Sequence, residues 1–115
     1  MSCQTSSNYF KDIKKGDTFT GLKMSFFDGV GDAKTQMDLT GASVVITFRK
    51  SSTTNMVFEF KTSDGTITIP DPTIGEIFLQ PRVMNYAPFN YIFDVVVTTQ
   101  SGTVHTYFTN YWRIL

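Results

Sequence analysis

The sequence predicts an all-β fold, an antiparallel sandwich or small barrel of seven to eight short strands. Three observations carry this. Apolar and polar residues alternate at period two over several stretches of the 115-residue chain, the spacing that sends successive side chains to opposite faces of a strand. β-branched and aromatic residues dominate these stretches, and turn residues separate them at short intervals. No run of a dozen residues carries a helical stripe.

Taken in order, residues 1–16 are polar and end in Lys14-Lys15-Gly16, which reads as an arm or an edge strand. Residues 17–115 then form a single domain. Phe19, Met24 and Phe26 recur in a Thr/Ser-interleaved stretch read as one strand. Asp28-Gly-Val-Gly-Asp32 is a loop by its glycines. Ser43 to Arg49 is the clearest strand, with Val44, Ile46 and Phe48 on one face and Val45, Thr47 and Arg49 on the other. Met56 to Lys61 follows a polar loop, Ser51 to Asn55, and sets Met56, Phe58 and Phe60 against Val57, Glu59 and Lys61.

Thr62-Ser-Asp-Gly65 is a turn, and Thr66 to Ile69 a short strand closed by Pro70 and Pro72. Gly75 to Leu79 is another short strand, and Gln80 to Phe89 a loop with room for one helical turn. Asn90 to Thr99 and Thr103 to Thr109 flank Gln100-Ser-Gly102, the best hairpin signal in the chain. Tyr91, Phe93, Val95 and Val97 share one face of that hairpin, and Val104, Thr106 and Phe108 share a face across the turn. Tyr111 to Leu115 ends the chain as a short strand or tail. Trp112 and Ile114 are assigned to the core, while Tyr111 and Arg113 stay open.

Composition excludes several classes. Ten Lys+Arg balance ten Asp+Glu for a net charge of zero, with no concentrated basic run, so the counterion-releasing face that a nucleic-acid binder needs is missing from the sequence. No apolar run approaches the ~18 residues of a membrane span, and residues 1–10 lack the hydrophobic stretch of a secretory signal. The single cysteine, Cys3, makes no internal disulfide. Charged residues are only 17% and aromatics 15%, against a usual charged share of about 25%. Such a surface suits a domain partly covered by a partner.

Little in the sequence carries chemistry. Its only histidine, His105, reads as a residue of a polar sheet face with Thr103 and Tyr107, without a nucleophile beside it. One Cys and one His, far apart, do not make a zinc set. Glu59, Glu76 and Asp94 are the candidate carboxylates, and an exposed or cross-strand-paired acid is the preferred reading of Asp94. Asp28-Gly-Val-Gly-Asp32 lacks the distal Glu of a calcium loop and the Lys-Ser/Thr of a phosphate loop. No catalytic residue, metal ligand or cofactor is therefore assigned, and the chain is read as not an enzyme.

Contact surfaces are better marked. Ile92 and Val96 put apolar residues on the reverse of the Phe93/Val95/Val97 face, as Val45 does behind Val44/Ile46/Phe48. A lone sandwich keeps its outer faces mostly polar, although scattered surface apolar residues are common. The loop Asn85-Tyr86-Ala-Pro88-Phe89-Asn90-Tyr91 is aromatic and suits protein contact, sugar stacking or plugging the end of the sandwich. The candidate interface residues are Tyr86, Phe89, Ile92, Val96, Tyr107 and Tyr111.

Three segments in order carry a resemblance: Gly16-Asp17-Thr18-Phe19, then Asp38-Leu-Thr-Gly-Ala-Ser-Val44 leading into Ile46 to Arg49, then Tyr91 to Val95 through Ser101-Gly-Thr-Val104 to Trp112. This order resembles small bacteriophage and prophage virion proteins, among them the N-terminal domains of upper baseplate proteins and short tail or head-completion proteins. It departs from them in Thr109-Asn110, where a glycine is usual. The resemblance implies an immunoglobulin-like sandwich. It also implies a non-enzymatic structural part of a tail, baseplate or head–tail connection, made in the bacterial cytoplasm and placed in the virion. Its expected partners are other virion proteins or further copies of itself, with no nucleic acid and no membrane. The alternative is a glycan- or receptor-binding module, which needs Tyr86, Phe89, Tyr107, Tyr111 or Trp112 clustered beside polar groups in a cleft.

Overall fold

A computed structural model describes residues 10–28, 35–50 and 56–115. The chain is all-β. Eleven strands run through the described residues: β1 (Thr18–Phe19), β2 (Leu22–Ser25), β3 (Phe27–Asp28), β4 (Thr35–Gln36), β5 (Ser43–Lys50), β6 (Met56–Lys61), β7 (Ile67–Thr68), β8 (Glu76–Leu79), β9 (Arg82–Val83), β10 (Phe89–Thr98) and β11 (Val104–Ile114). Most of the glycine-rich loop read between Asp28 and Thr35, and the loop Ser51 to Asn55, lie outside the described residues.

The main sheet has the order β11-β10-β5-β6, and a second has β2-β8-β7. β1 pairs with β9 and β3 with β4. All these pairings are antiparallel. Alternation decides the inner face of the main sheet: Val44, Ile46 and Phe48 of β5, Phe58 and Phe60 of β6, and Tyr91, Phe93, Val95 and Val97 of β10 are all buried. They form one cluster with Met24 of β2, Ile67 of β7, and Ile77 and Leu79 of β8, so the two sheets close over a single core. Each such side chain contributes roughly 1.5–3 kcal/mol on leaving water. Met56, expected on that face, is instead exposed at the start of β6.

Strand count exceeds the seven or eight expected for a physical reason. Phe19 and Met24 differ in parity, so one regular strand cannot bury both. Gly21 resolves this with a φ of 103°, a conformation that costs glycine little, and the chain leaves β9 on one side of it for β8 on the other. The loop Gln80 to Phe89 correspondingly contains β9 rather than a helical turn. A second break of parity lies in β11. Asp94 pairs with Thr109 and Val96 with Thr106, so β11 carries one extra residue there, a bulge that reverses which side chains face inward. Trp112 and Ile114 are buried, while Val104 is 61% exposed. His105 pairs with Val97, which puts it on the core side of the sheet, half-buried, and not on the polar face expected for it.

Of the expected arm, residues 1–9 lie outside the described residues, and residues 10–16 are built into the domain. Phe10 is buried, stacked on Trp112 with ring centres 4.3 Å apart and edge-on to Phe48 and Phe93. The Trp112 indole N–H donates to the Lys11 carbonyl at 2.8 Å. Ile13 forms a parallel bridge with Ile114: its N–H donates to the Arg113 carbonyl, its carbonyl accepts from Leu115, and the Lys15 N–H donates to the Leu115 carbonyl. At the other end of the sandwich, buried Gly75 adopts a φ of 69° and lies so close to its neighbours that a Cβ there would sit 2.6 Å from the Phe26 carbonyl oxygen and 2.8 Å from that of Met37.

Candidate interaction surface

The outer face of the main sheet gathers three of the residues singled out from the sequence. Register places Tyr111 of β11 beside Ile92 of β10, and Ile92 beside Arg49 of β5. Two residues along, Asp94 lies beside Thr47, and Thr47 beside Glu59 of β6. Two further along, Thr106, Val96, Val45 and Lys61 form a third row. Ile92, Val45 and Val96 are half-buried, whereas Tyr111 is 55% and Val57 37% exposed.

A charge pair lies within this face. Arg49 Nη2 is 2.7 Å from Asp94 Oδ2, with about a quarter of each side chain exposed. It is a diagonal cross-strand pair, the sheet counterpart of the i,i+4 pairs of helices. Arg49 Nε is buried with no hydrogen-bond partner, so the guanidinium is held by one edge and its aliphatic stem covers the sheet beside Ile92. On β6, Lys61 Nζ lies 2.8 Å from Glu59 Oε1, and that carboxylate's hydrogen bond and charge raise the Lys61 pKa. Within these rows two cations meet two carboxylates, and at the end of the face Arg113, beside Asn90, is bound by Asp12, so the face stays neutral.

The aromatic loop plugs the end of the sandwich. Tyr86 stacks on Phe58 at 4.2 Å and packs against the core. Tyr91 is buried, its hydroxyl donating to the Ala87 carbonyl at 2.6 Å; burial raises its pKa. Phe89, 37% exposed, lies tilted against Tyr91 with Lys50 Nζ 5.5 Å from its ring centre. The side chain of Tyr107 lies outside the described residues.

Among the described residues considered for one, neither a catalytic nor a sugar-stacking constellation forms. Asp94 and Glu59 lie on the outer face, each bound to its own cation, while His105 faces the core side. Glu76 pairs with Lys23 at 3.4 Å on the second sheet. Among the described residues no three His, Cys, Asp or Glu group to hold a metal ion, and no helix is long and apolar enough to cross a membrane. Trp112 is buried beneath Phe10, and Phe89 and Tyr111 lie on opposite sides of the main sheet, so these rings do not share a cleft. A pocket of about 310 Å³ opens between residues 10–13 and 18–22, but its aromatic floor (Phe10, Phe19 and Trp112) is itself core.

The sequence offered a cross-strand partner for Asp94 but left two features of this region unread: that the partner is Arg49, and the Tyr91 hydroxyl bond. The first needs the register of β5 against β10. The second has a signal in the chain, a tyrosine opening a strand just after an Ala-Pro loop. No family model, curated protein or solved structure matches the chain.

Proposed function

We propose that this chain is a non-enzymatic structural subunit of a bacteriophage or prophage particle, in a tail, baseplate or head–tail connection, and that it works by packing against other virion proteins. The observation that carries the packing role is the outer face of the main sheet, where Val45, Val57, Ile92, Val96 and Tyr111 lie among charges already paired within the chain. A sheet face that stays in water is more polar than this. The virion assignment rests on the resemblance of Gly16–Phe19, Asp38–Arg49 and Tyr91–Trp112 to small virion proteins.

The strand order supports the immunoglobulin-like reading. β11-β10-β5-β6 opposite β2-β8-β7 corresponds to strands G-F-C-C′ opposite B-E-D of a variable-type sandwich, and Tyr91 stands where such folds carry a tyrosine corner.

The test is mass spectrometry and immunogold labelling of gradient-purified particles from a host carrying the gene. The chain is expected to band with the particles and to resist a salt wash. Recovery of the chain only in the particle-free fraction would overturn the virion reading.

A further inference from the structure

We propose that the outer face of the main sheet docks a second copy of this chain, through a two-fold axis running along the seam between β10 and β5. This deepens the assembly reading by naming its first partner. Register fixes the fit. Stacked sheets pack face to face with strands nearly aligned. An axis along the strands over the β10–β5 seam lays each β10 residue over the β5 residue of the second copy that occupies the same row. The rows are fixed: Ile92 with Arg49, Asp94 with Thr47, Val96 with Val45.

Across the interface, Val96 then meets Val45 of the second copy, and its Val45 meets Val96. Ile92 lies over the aliphatic stem of Arg49. Asp94, already bound to its own Arg49, gains a hydroxyl donor in Thr47. At the margins Tyr111 lies over Met56 of the second copy, the β6 residue of the Arg49 row, next to the irregularity at Val57. No charged residue of these rows faces a like charge. An axis across the strands through the Asp94 row would instead set Asp94 on Asp94 and Glu59 on Glu59, and like charges opposed at an interface are disfavoured. The face is thus complementary to itself in one arrangement and repels itself in the other, as an isologous contact requires.

Neutrality also selects the occupant. Three cations, each paired with a carboxylate within the chain, offer no steering field to a strongly acidic or basic partner. Four strands about 4.8 Å apart and about eight residues long cover roughly 500 Å², so the contact buries about 1,000 Å² in total, the lower bound for a specific interface. The dimer is accordingly weak and concentration-dependent.

The test is sedimentation velocity of the full chain from low micromolar to near millimolar concentration. The average mass is expected to climb from monomer toward dimer. Val96→Arg is expected to raise the dissociation constant about tenfold or more, the loss of a central contact. Tyr111→Glu, at a more exposed position that tolerates charge, is expected to act in the same direction, and circular dichroism checks that each variant folds. Phe78→Ser, on the outer face of the second sheet (Phe78 is 40% exposed), is expected to change nothing. A monomer at every concentration overturns the proposal, as does a dimer indifferent to both Val96→Arg and Tyr111→Glu. Either result leaves the virion reading to its own particle experiment, and absence from particles leaves a Val96-dependent dimer standing.

Discussion

Replacing Gly75 by alanine tests how the two layers are joined. Gly75 has a left-handed backbone, and its carbonyl lies against the chain leaving β2: the Phe26 N–H donates to the Gly75 carbonyl at 2.8 Å, and the Met37 N–H to the Phe26 carbonyl at 3.0 Å. Placing any Cβ in a left-handed conformation costs about 1–2 kcal/mol. The added methyl would also sit inside 3.0 Å of three backbone atoms, the Phe26 and Met37 carbonyl oxygens and the Met37 nitrogen. Backbone cannot rotate aside as a side chain does, so one or both hydrogen bonds must stretch. Leaving a buried donor unmet costs about 1–3 kcal/mol more. The total is about 2–5 kcal/mol, a large part of the ~5–15 kcal/mol that holds a domain of this size together. Gly65 is the control: its φ is 80°, but nothing lies within 4 Å of an added Cβ, so alanine there should cost only the conformational ~1–2 kcal/mol. Urea unfolding of the three proteins, fitted with a common slope, reads the difference. If the two variants lose the same stability within experimental error, close approach at Gly75 is not what joins the layers.

Phe10→Ala removes a ring packed on Trp112, Phe48 and Phe93 and should cost about 3–5 kcal/mol, read as a lowered urea midpoint with altered Trp112 fluorescence. Asp38, Asp64 and Asp71 each accept from the N–H and hydroxyl of the threonine two residues on, which lowers their pKa below the ordinary 3.8. Their contribution is therefore present above the unfolded carboxyl pKa and lost as pH falls through the lower folded values, so the midpoint should drop below about pH 4, and less steeply in the triple Asp→Asn variant. Tyr91→Phe deletes the bond to Ala87 and should cost about 0.5–1.5 kcal/mol. Because the Tyr91 pKa is raised in the fold, the folded state holds its proton more tightly. Wild-type stability should thus decline as pH rises past the ordinary tyrosine value of 10.0, and Tyr91→Phe should decline less.

Much of this architecture was legible wherever one strand keeps one parity. Val44/Ile46/Phe48, Phe58/Phe60 and Tyr91/Phe93/Val95/Val97 bury as their alternation says, and Ser43, Met56 and Thr98 bound their strands within a residue or so of expectation. The reading failed where parity changes. Gly21 divides what looked like one strand, and the bulge between Thr106 and Thr109 turns Val104 outward and His105 toward the core, which no local pattern announces. Phe10 was hidden for another reason: it is a lone ring in a polar stretch, and its partners lie at the far end of the chain. Ile92 and Val96 stood out as apolar residues on the reverse of a buried face, and Tyr111, left open by the sequence, lies beside Ile92 on that same face. Tyr86 took the plugging role that was its plainer reading. The Arg49–Asp94 pair depends on which strands become neighbours, information that resides in topology rather than in either segment.

The parallel bridge between Ile13 and Ile114 has a mechanical consequence. Because the two segments run in the same direction, tension that draws the chain backward from Phe10 and forward from Leu115 slides one strand along the other. The bonds Ile13–Arg113, Leu115–Ile13 and Lys15–Leu115 are then loaded together, where a hairpin pulled from its open end would yield one bond at a time. The Phe10–Trp112 stack lies on the same load path and must slip at the same moment. A domain linked into an assembly through these two points would resist stretching as a clamp does, giving way in one event at a rate set by the barrier to unfolding rather than by its equilibrium stability.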